Sequence, residues 1–329
     1  MTPSLLDVAD LRVTFGSSGH RVLAVAGATF SLQPGQRLGI VGESGSGKST
    51  TALAIVGLLP RAALVAAGSI RYRHEQLLGL PEPRLRAFRG REIAMVFQNA
   101  STALNPLIRV GDQISDVARA HEHLPGGQAH ERAVELLSAM GLPDPARNAR
   151  GYAHEYSGGM AQRALIAMAL ACRPRVLIAD EPTTGLDPII QAQVLDKIVE
   201  RVAEQDMSLI LISHDIDVIH HACTDVVVMY AGQVMEAGDR GRVLREPQHP
   251  YTQALVGAAD PPDYGSFPFI PGRVPALNDT FAGCSFFDRC QLRARLGNPQ
   301  RCVDQQPRLH PSPSGSQVAC HFVSTDDRG

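Results

Sequence analysis

The chain has 329 residues, enough for one complete α/β domain and a smaller appendage. Its formal net charge is −2, from 31 basic and 33 acidic residues, and it has no Trp, so neither a basic surface nor an aromatic stacking surface for nucleic acid is indicated. No signal peptide is apparent, and no apolar run approaches the ~18 residues that a membrane span needs. The composition predicts a cytosolic chain that binds no nucleic acid and reaches a membrane only by docking on another protein.

The first part of the chain alternates short apolar runs with glycine turns. Its pattern predicts strands at residues 5–15, 28–32 and 37–41, followed by a helix at 51–59. Residues 42–50 lie between the last strand and the helix, and they fit the motif G-x-x-x-x-G-K-[ST]. A strand, a glycine-rich loop and a helix N-terminus together form an anion cradle, so a nucleotide site is predicted here.

The residue types in this phosphate loop suit a nucleoside triphosphate. Glycines let the backbone approach the phosphates closely, and the amides at the helix N-terminus point at negative charge. Lys48 can reach the β- and γ-phosphates, and the Ser49 hydroxyl can bind Mg²⁺. The nucleotide-binding residues predicted in the loop are Gly42, Ser44, Gly45, Ser46, Gly47, Lys48, Ser49 and Thr50.

The middle of the chain predicts more strands and a helical insertion. Short strands are expected at 70–72 and 93–97, and from 99 to 156 the pattern becomes helical. Within this segment, helices are predicted at 108–118 and 128–140, the second ending at a glycine. We expect this insertion to form a helical subdomain.

Alternating strands and helices follow it. The predicted strands are 175–179, 208–212, 226–230 and 233–236, and the predicted helices are 160–172 and 188–204. The last two strands are joined by Ala231 and Gly232, which predicts a two-residue hairpin. The alternation indicates a mainly parallel sheet covered on both faces, with antiparallel strands at one side.

Polar residues at the ends of these strands suggest catalysis. Asp180 and Glu181 end an aliphatic strand, where an Asp holds Mg²⁺ in phosphate-loop NTPases and the next carboxylate can polarise the attacking water. The bland alternative is an acidic pair that caps a helix. His214 also ends a strand, where it can face the γ-phosphate or cap the following helix.

A second anion site is suggested by Ser157, Gly158 and Gly159, which open a predicted helix. Taken alone, a Ser-Gly-Gly helix start more often serves as a simple cap.

The C-terminal residues 259–329 form a proline-rich appendage that also holds four of the six cysteines. Those four are Cys284, Cys290, Cys302 and Cys320, and their spacing differs from the paired C-x2-C ligands of common zinc sites. Iron–sulfur clusters favour four thiolates, so a cluster, zinc with His321, or free thiols are the open alternatives. Cys172 and Cys223 are expected to pack in the core.

Taken together, these motifs resemble the ATP-binding subunit of an ABC transporter. The matching positions, in the family's order, are residues 42–50, Gln98, the signature 156–163 with Gln162 and Arg163, residues 180–182, the loop 185–187 and His214. The resemblance implies an α/β fold of the ABC-type phosphate-loop ATPase class, with a mainly parallel sheet, an antiparallel β subdomain and a helical subdomain at about 99–156. It covers roughly residues 5–255, and the predicted ATPase domain is 1–258.

A narrower resemblance is to the oligopeptide/dipeptide/nickel importer subfamily. It rests on residues 97–106, on 191–193, on 249–252 and on the C-terminal appendage 259–329 with its four cysteines. Members of this subfamily can carry a [4Fe–4S] cluster at such cysteines, so the resemblance favours a cluster here. Two departures are Tyr156 in place of the usual Leu and Gly185 in place of the usual Ala.

The resemblance also implies roles for single residues. Phe15 matches the aromatic residue that stacks on adenine, Gln98 the residue that touches Mg²⁺, and Glu181 the general base. His214 matches the γ-phosphate sensor and Asp187 the loop at a dimer seam. The signature residues expected to act on the ATP of the opposite subunit are Ser157, Gly158, Gly159 and Gln162.

The partners implied are two membrane permease subunits, a second ATPase subunit that is commonly a paralogue, and indirectly an extracytoplasmic solute-binding protein. ATP and Mg²⁺ are the implied cofactors, and the expected location is the cytoplasmic face of the inner membrane. One alternative function is a soluble ABC ATPase acting on DNA or translation. Another is a phosphate-loop kinase or GTPase, although no Asn-Lys-x-Asp guanine motif occurs.

Overall fold

The structure is a computed structural model, and it describes residues 3–16, 21–98, 103–259, 270–275 and 281–323. The chain divides into two compact units. The first unit comprises Met1–Leu32, Leu38–Leu78 and Ser213–Gly329, and the second comprises Gln33–Arg37 and Gly79–Ile212. In the described part of the chain, no helix is both long enough and apolar enough to cross a lipid bilayer.

The described residues form short strands and helices in alternation. The strands are β1 Leu6–Phe15, β2 Val22–Leu32, β3 Arg37–Val41, β4 Ala63–Tyr72, β5 Glu75–Gln76, β6 Ile93–Val96, β7 Val176–Asp180, β8 Ser208–Ser213, β9 Asp225–Tyr230, β10 Gln233–Asp239, β11 His310–Pro311 and β12 Gln317–Val318. The α-helices are α1 Lys48–Ile55, α2 Glu82–Phe88, α3 Val110–Glu122, α4 Gly126–Ala139, α5 Pro145–Ala149, α6 Gly158–Ala169, α7 Pro188–Glu204, α8 Ile216–Ala222, α9 Arg240–Arg245, α10 Pro250–Ala259, α11 Gln291–Arg295 and α12 Arg301–Asp304. Two 3₁₀ turns cover Ala153–Glu155 and Phe287–Arg289.

The first unit contains an antiparallel sheet with strand order β2-β1-β4-β5. Strand β1 lies in its middle, where Leu6 is opposite Leu32 on one side and Tyr72 on the other. These three side chains are buried, so the alternating apolar residues of β1 meet those of both neighbours. The predicted antiparallel β subdomain therefore has a packed apolar face.

The same unit contains a second group of strands. Strand β3 pairs with β9 in parallel, β9 pairs with β10 as an antiparallel hairpin, and β12 pairs with β10 and β11. The hairpin turn has positive φ at both Ala231 and Gly232, as the tight turn predicted from the sequence requires. Because β12 adds to β10 at Glu236 and Ala237, part of the C-terminal appendage extends this strand group.

The second unit contains the parallel strands β6, β7 and β8 in the order β6-β7-β8. Every residue of β7 and β8 is buried, which explains why these strands are nearly continuous aliphatic runs rather than alternating ones. Helices α2 to α7 belong to this unit. Helix α4 contacts α3 and α5 of the insertion and also α6, which follows the insertion in the chain.

The sequence predicts most of these elements, with errors at their ends. Strand β2 begins at Val22 rather than at residue 28, and β4 begins at Ala63 rather than at 70, because both strands pair with β1 along its whole length. Helix α1 begins at Lys48 rather than at 51, since the phosphate loop itself supplies the first turn. Helix α7 has the predicted bounds.

Three parts of the chain need separate mention. The described residues of the helical segment predicted at 99–156 hold α3, α4 and α5, while residues 99–102 lie outside the described residues. Helices α2 and α8 to α12 were not predicted from the sequence. The domain boundary at 258/259 stays a prediction, and residues 213–329 group with the first unit.

Candidate functional site

The phosphate loop lies between β3 and α1 in the first unit. Gly47 is the N-cap of α1 and has φ +94°, a conformation that glycine adopts without strain. A Cβ at this position would lie 2.6 Å from the Ala24 carbonyl oxygen and 3.3 Å from the Cα of Gly232. The motif therefore has glycine here because two other backbone segments pass directly behind the loop.

Lys48 is the first residue of α1, and its side chain is buried within the loop. Its Nζ donates to the Gly42 carbonyl at 2.7 Å, to the Glu43 carbonyl at 3.0 Å and to the Ser46 hydroxyl at 3.3 Å. The loop thus wraps around an ammonium group at a helix N-terminus. A buried cation beside oriented amides is an anion-binding arrangement suited to phosphate.

The outer residues of the loop face solvent. Ser44, Gly45 and Ser49 are exposed, and no described atom lies within 4 Å of the position that a Cβ on Gly45 would take. Ser46 and Gly42 are buried, and the Ser46 carbonyl accepts a bond from the Gly232 amide at 3.0 Å. One side of the loop is therefore anchored to the β9–β10 hairpin, and the other side is open to a ligand.

Two more predicted site residues belong to the first unit. Phe15 is the last residue of β1, opposite Val22 and Ala63, and is partly exposed. His214 directly follows β8 and is exposed. The N-cap of the next helix, α8, is Asp215, whose carboxylate accepts from the Asp217 amide at 2.8 Å, so the alternative role of His214 as a helix cap was wrong.

The predicted general base lies in the second unit beside polar partners. Glu181 Oε2 accepts from the Gln98 amide at 2.9 Å and from the Thr184 hydroxyl at 2.9 Å. The backbone of Glu181 has φ +46°, and its amide donates to the Ile212 carbonyl at 2.9 Å. A non-glycine residue held in this strained region is characteristic of functional sites.

Asp180 is the buried last residue of β7, directly before this base. The helix that follows, α7, is capped by Asp187 and not by the 180–181 pair, so the capping alternative for that pair was wrong. The structure thus brings Gln98 and Glu181 together, while the Mg²⁺ contact expected of Gln98 stays a prediction. Thr184 is a third member that the sequence reasoning did not single out.

The Ser-Gly-Gly motif opens α6 in the same unit. Ser157 is the N-cap, and its hydroxyl accepts from the Met160 amide at 3.3 Å. Gly158 and Gly159 form the first turn, while Gln162 is buried one turn later. The cap role and an anion-binding role are compatible here, because the first-turn amides of α6 remain at a helix N-terminus.

Asp187 lies next to this motif in the fold. It is the N-cap of α7 and accepts from the Ile190 amide at 3.1 Å. A Cβ on Gly159 would lie 2.7 Å from Cγ2 of Ile190, so the two helix starts touch where the signature has glycine. The two features predicted to face a partner subunit are therefore neighbours.

The four C-terminal cysteines line one small cavity of about 20 Å³ together with Phe286 and Phe287. The Cys284 amide donates to the Cys302 carbonyl at 2.9 Å. Burial raises the pKa of the Cys284 thiol to about 12 and raises the pKa values of Cys302 and Cys320 as well. Four thiols are the kind of donor that a soft metal group prefers, although this space holds only about one water molecule.

Among the described residues, no three His, Cys, Asp or Glu side chains are grouped closely enough to hold a metal ion. The cysteine side chains would therefore have to rearrange around a common centre to hold a cluster. Cys172 and Cys223 are buried, in keeping with the packing role expected for them.

Sequence reasoning missed the contacts between the C-terminal residues and the phosphate loop. Arg289 makes an ion pair with Glu43 at 2.7 Å, and the Tyr251 hydroxyl accepts from the Glu43 amide at 2.9 Å. Arg289 and Tyr251 lie in sequence motifs that indicate a family resemblance and predict no contact with the phosphate loop. Glu43 occupies a variable position of the loop motif, so no local pattern pointed to this contact.

The family comparisons agree with this geometry. The family model described as "ABC transporter" matches residues 25–184, and the model described as "Oligopeptide/dipeptide transporter, C-terminal region" matches residues 235–295. The first match spans the phosphate loop, the signature and the Asp180–Glu181 pair. The second covers β10, α10 and two of the four cysteines.

Characterised relatives match over nearly the whole chain. The dipeptide transport ATP-binding protein DppD of Escherichia coli is 41% identical over 330 residues, covering 99% of this chain and 98% of the relative. The oligopeptide transport ATP-binding protein OppD of Escherichia coli is 44% identical over 289 residues, covering 87% of this chain and 86% of the relative. The expected resemblance to this group is confirmed.

Solved structures support the fold. CbiO1 from Clostridium perfringens, part of the ABC transporter complex cbiONQ, aligns with a TM-score of 0.63 and 28% identity, covering 74% of this chain and 92% of that one. The ATP-binding cassette MJ0796, solved as a dimer bound to ADP and Pi, aligns with a TM-score of 0.65 and 24% identity, covering 71% and 98%. The predicted ABC-type ATPase fold is confirmed. The chain belongs to the ATP-binding proteins of the ABC transporter family, in the group that carries the oligopeptide/dipeptide transporter C-terminal region.

Proposed function

We propose that this chain is the ATP-hydrolysing subunit of an importer for peptides or a related small solute. The observation that carries the proposal is the match to a dipeptide transport ATP-binding protein over 98% of that relative's length, including the C-terminal region. The phosphate loop around Lys48 and the oriented carboxylate of Glu181 supply the chemistry that such a subunit needs.

In this proposal, the phosphate loop holds ATP and Lys48 offsets the charge of its β- and γ-phosphates. Phe15 stacks on the adenine. Ser49, Asp180 and Gln98 would hold Mg²⁺, which would supply positive charge beside the transferred phosphoryl group. Ser49 is exposed in the first turn of α1, and Asp180 ends β7, as those roles require.

Glu181 acts as the general base that aligns water for in-line attack, and His214 contacts the γ-phosphate. The hydrogen bonds from Gln98 and Thr184 to one oxygen of Glu181 support this role, because they fix the orientation of the carboxylate. Phosphoryl transfer needs little covalent work from the protein, so positioning of this kind supplies most of the rate.

A complete site needs two ATPase subunits. Ser157, Gly158 and Gly159 of one subunit bind the γ-phosphate held by the other, with Gln162 behind them and Asp187 at the seam. The contact between the starts of α6 and α7 supports a shared surface for these residues. The chain has one phosphate loop, so the second subunit is another copy or, as is common in this subfamily, a paralogue.

The remaining partners are two permease subunits in the inner membrane and, through them, an extracytoplasmic solute-binding protein. The subunit then lies on the cytoplasmic face as a peripheral protein. Leu107 is 85% exposed and Ile108 is also exposed, next to the start of α3, and such apolar side chains suit a docking contact with the permease. The solute itself is selected by the permease and the binding protein.

The four C-terminal cysteines are proposed to hold a [4Fe–4S] cluster, for which their gathering around one cavity is the support. The cluster would be coordinated by Cys284, Cys290, Cys302 and Cys320, and it would tie together a proline-rich segment with little core of its own. The test is iron analysis and the visible absorption of protein purified without oxygen. A colourless protein without iron ends the cluster proposal, and bound zinc would assign the same ligands to another metal.

The function is tested by ATP hydrolysis of the complex with its permease and by the variant Glu181→Gln. We expect this variant to bind ATP as the wild type does but to hydrolyse it at least ~100-fold more slowly, because the base is lost while the phosphate loop is intact. Wild-type turnover in this variant would refute the assignment of the base. Purification with nucleic acid or ribosomes instead of integral membrane proteins would favour the soluble alternative.

A further inference from the structure

Arg289 is a buried arginine whose hydrogen-bonding capacity is fully used. Its side chain is only 4% exposed, although it belongs to a short 3₁₀ turn in the C-terminal appendage. Two of its five N–H groups bind the two carboxylate oxygens of Glu43, at 2.7 and 3.1 Å. The other three bind the carbonyls of Pro271 and Ile270, at 2.9 and 3.1 Å, and the hydroxyl of Tyr230, at 3.2 Å.

Glu43 is the second residue of the phosphate loop, and the surrounding protein holds it at three points. Its carboxylate accepts two hydrogen bonds from the Arg289 guanidinium, and its amide donates to the Tyr251 hydroxyl at 2.9 Å. Its carbonyl accepts from Lys48 Nζ at 3.0 Å. One residue therefore connects the C-terminal appendage to the lysine that is proposed to bind ATP.

A cluster of three aromatic rings packs around the Arg289 guanidinium group that binds Glu43. The rings of Tyr230, Tyr251 and Phe286 lie 4.6–5.3 Å apart between centroids. The Arg289 guanidinium carbon lies 5.6 Å from the Tyr230 ring centre and 6.0 Å from that of Phe286. Burial lowers the pKa of Arg289, but hydrogen bonds to Glu43 and Tyr230 raise it above its ordinary value, so the guanidinium stays charged.

We propose that Arg289 is a positioning residue for the phosphate loop, acting through Glu43 to keep Lys48 and the loop amides in the arrangement that binds ATP. The inference rests on the proposed function. Arg289 belongs to the C-terminal appendage and directly precedes Cys290 of the four-cysteine cavity. The inference therefore gives the appendage a direct part in nucleotide binding.

The physical reason is the cost of an unpaired charge. Without Arg289, the Glu43 carboxylate stays in a largely enclosed place with no cation facing it, so it must move to reach water. That movement shifts the Glu43 backbone, and with it the carbonyl that accepts from Lys48. A shift of about 1 Å in groups that hold a substrate can cost about 100-fold in rate.

A lysine cannot replace this arginine. An ammonium group has three donors on a flexible stem, whereas this site uses five donors in a planar fork. Arg289→Lys keeps the charge and loses the geometry, so it separates the two contributions.

The test compares Arg289→Gln and Arg289→Lys with a control, Arg293→Gln. Arg293 belongs to the same appendage, where it stacks on Phe287 at 4.0 Å and lies 3.7 Å from Asp288. The readouts are the Kd of a fluorescent ATP analogue, KM and kcat for ATP, and the melting temperature of the protein in its complex. We expect Arg289→Gln to raise Kd and KM about tenfold or more, Arg289→Lys to raise them by a smaller factor, and Arg293→Gln to leave them within twofold.

A double-mutant cycle with Glu43→Gln gives the decisive comparison. If Arg289 acts through Glu43, the double variant binds ATP no more weakly than Arg289→Gln alone, because its uncompensated carboxylate is gone. Additive losses, or wild-type affinity in Arg289→Gln, would overturn the inference. If Arg289→Gln does not fold, Arg289→Lys decides the question, since wild-type affinity in a folded Arg289→Lys variant also overturns it. Failure of the wild type to bind ATP would instead refute the proposed function.

Discussion

The phosphate loop offers a matched pair of substitutions, Gly47→Ala and Gly45→Ala. Both glycines have positive φ, +94° and +81°, so an alanine at either position costs roughly 1–2 kcal/mol of backbone strain. The surroundings of the two positions differ. A Cβ on Gly47 would lie 2.6 Å from the Ala24 carbonyl, whereas no described atom lies within 4 Å of a Cβ on Gly45.

Because backbone cannot move aside as a flexible side chain can, Gly47→Ala adds an overpacking cost of about 1–3 kcal/mol. We therefore expect Gly47→Ala to lower the free energy of unfolding by about 2–5 kcal/mol and Gly45→Ala by roughly 1–2 kcal/mol. The loss in Gly47→Ala is a large part of the 5–15 kcal/mol that a typical protein has.

The assay is urea unfolding of both variants and the wild type without nucleotide, under the same conditions. Without nucleotide, the difference between the variants reports the contact behind the loop and not a contact with ATP. Equal losses of stability in the two variants would refute the reasoning, because they would show that Ala24 and Gly232 give way at no cost.

Three further outcomes follow from contacts described above. Gln98→Ala removes one of the bonds that orient Glu181, so kcat should fall about tenfold while the Kd for ATP changes less than threefold; a fall in affinity with unchanged kcat would contradict this. Burial lowers the pKa of His249 to about 3, whereas the pKa of a histidine in an unfolded chain is about 6.5. Between these two pH values the unfolded state binds a proton that the folded state does not, so the folded state loses stability as the pH falls below 6.5. We expect this group to make the free energy of unfolding about 2 kcal/mol lower at pH 5 than at pH 7. The variant His249→Asn keeps an acceptor for the Tyr251 amide, and urea unfolding of this variant beside the wild type should show that this pH dependence is lost. Burial raises the pKa of Cys172 to about 11, so iodoacetamide at pH 7.5 should label it only after denaturation; fast labelling of the native protein would show that the thiol is accessible.

Local sequence patterns predicted the parts of the molecule that depend on local physics. The phosphate loop was predicted because its glycines and Lys48 act within a few residues of one another. The β9–β10 hairpin was predicted because Ala231 and Gly232 sit between two apolar runs. Helix α7 follows from the periodicity of its apolar residues and from Asp187 at its start.

Contacts between distant segments could not be predicted in the same way. Strand β2 pairs with β1 as far as Val22, and although residues 22–26 are apolar, nothing in them identifies β1 as the partner. Thr184 joins Glu181 only once the turn after β7 is formed. The pairing of Arg289 with Glu43 depends on which of many charged residues the fold brings together, and a single sequence carries no record of it.

The same pairing sets an order of events during synthesis. Arg289 and Glu43 are 246 residues apart, so at 5–20 residues per second the loop leaves the ribosome on the order of 10–50 s before its buried partner. Tyr251 and the β9–β10 hairpin, which also hold the loop, are likewise made late. The nascent phosphate loop lacks these contacts in that interval, so on the proposed role of Arg289 its full affinity for ATP arises only after residue 289 has been made.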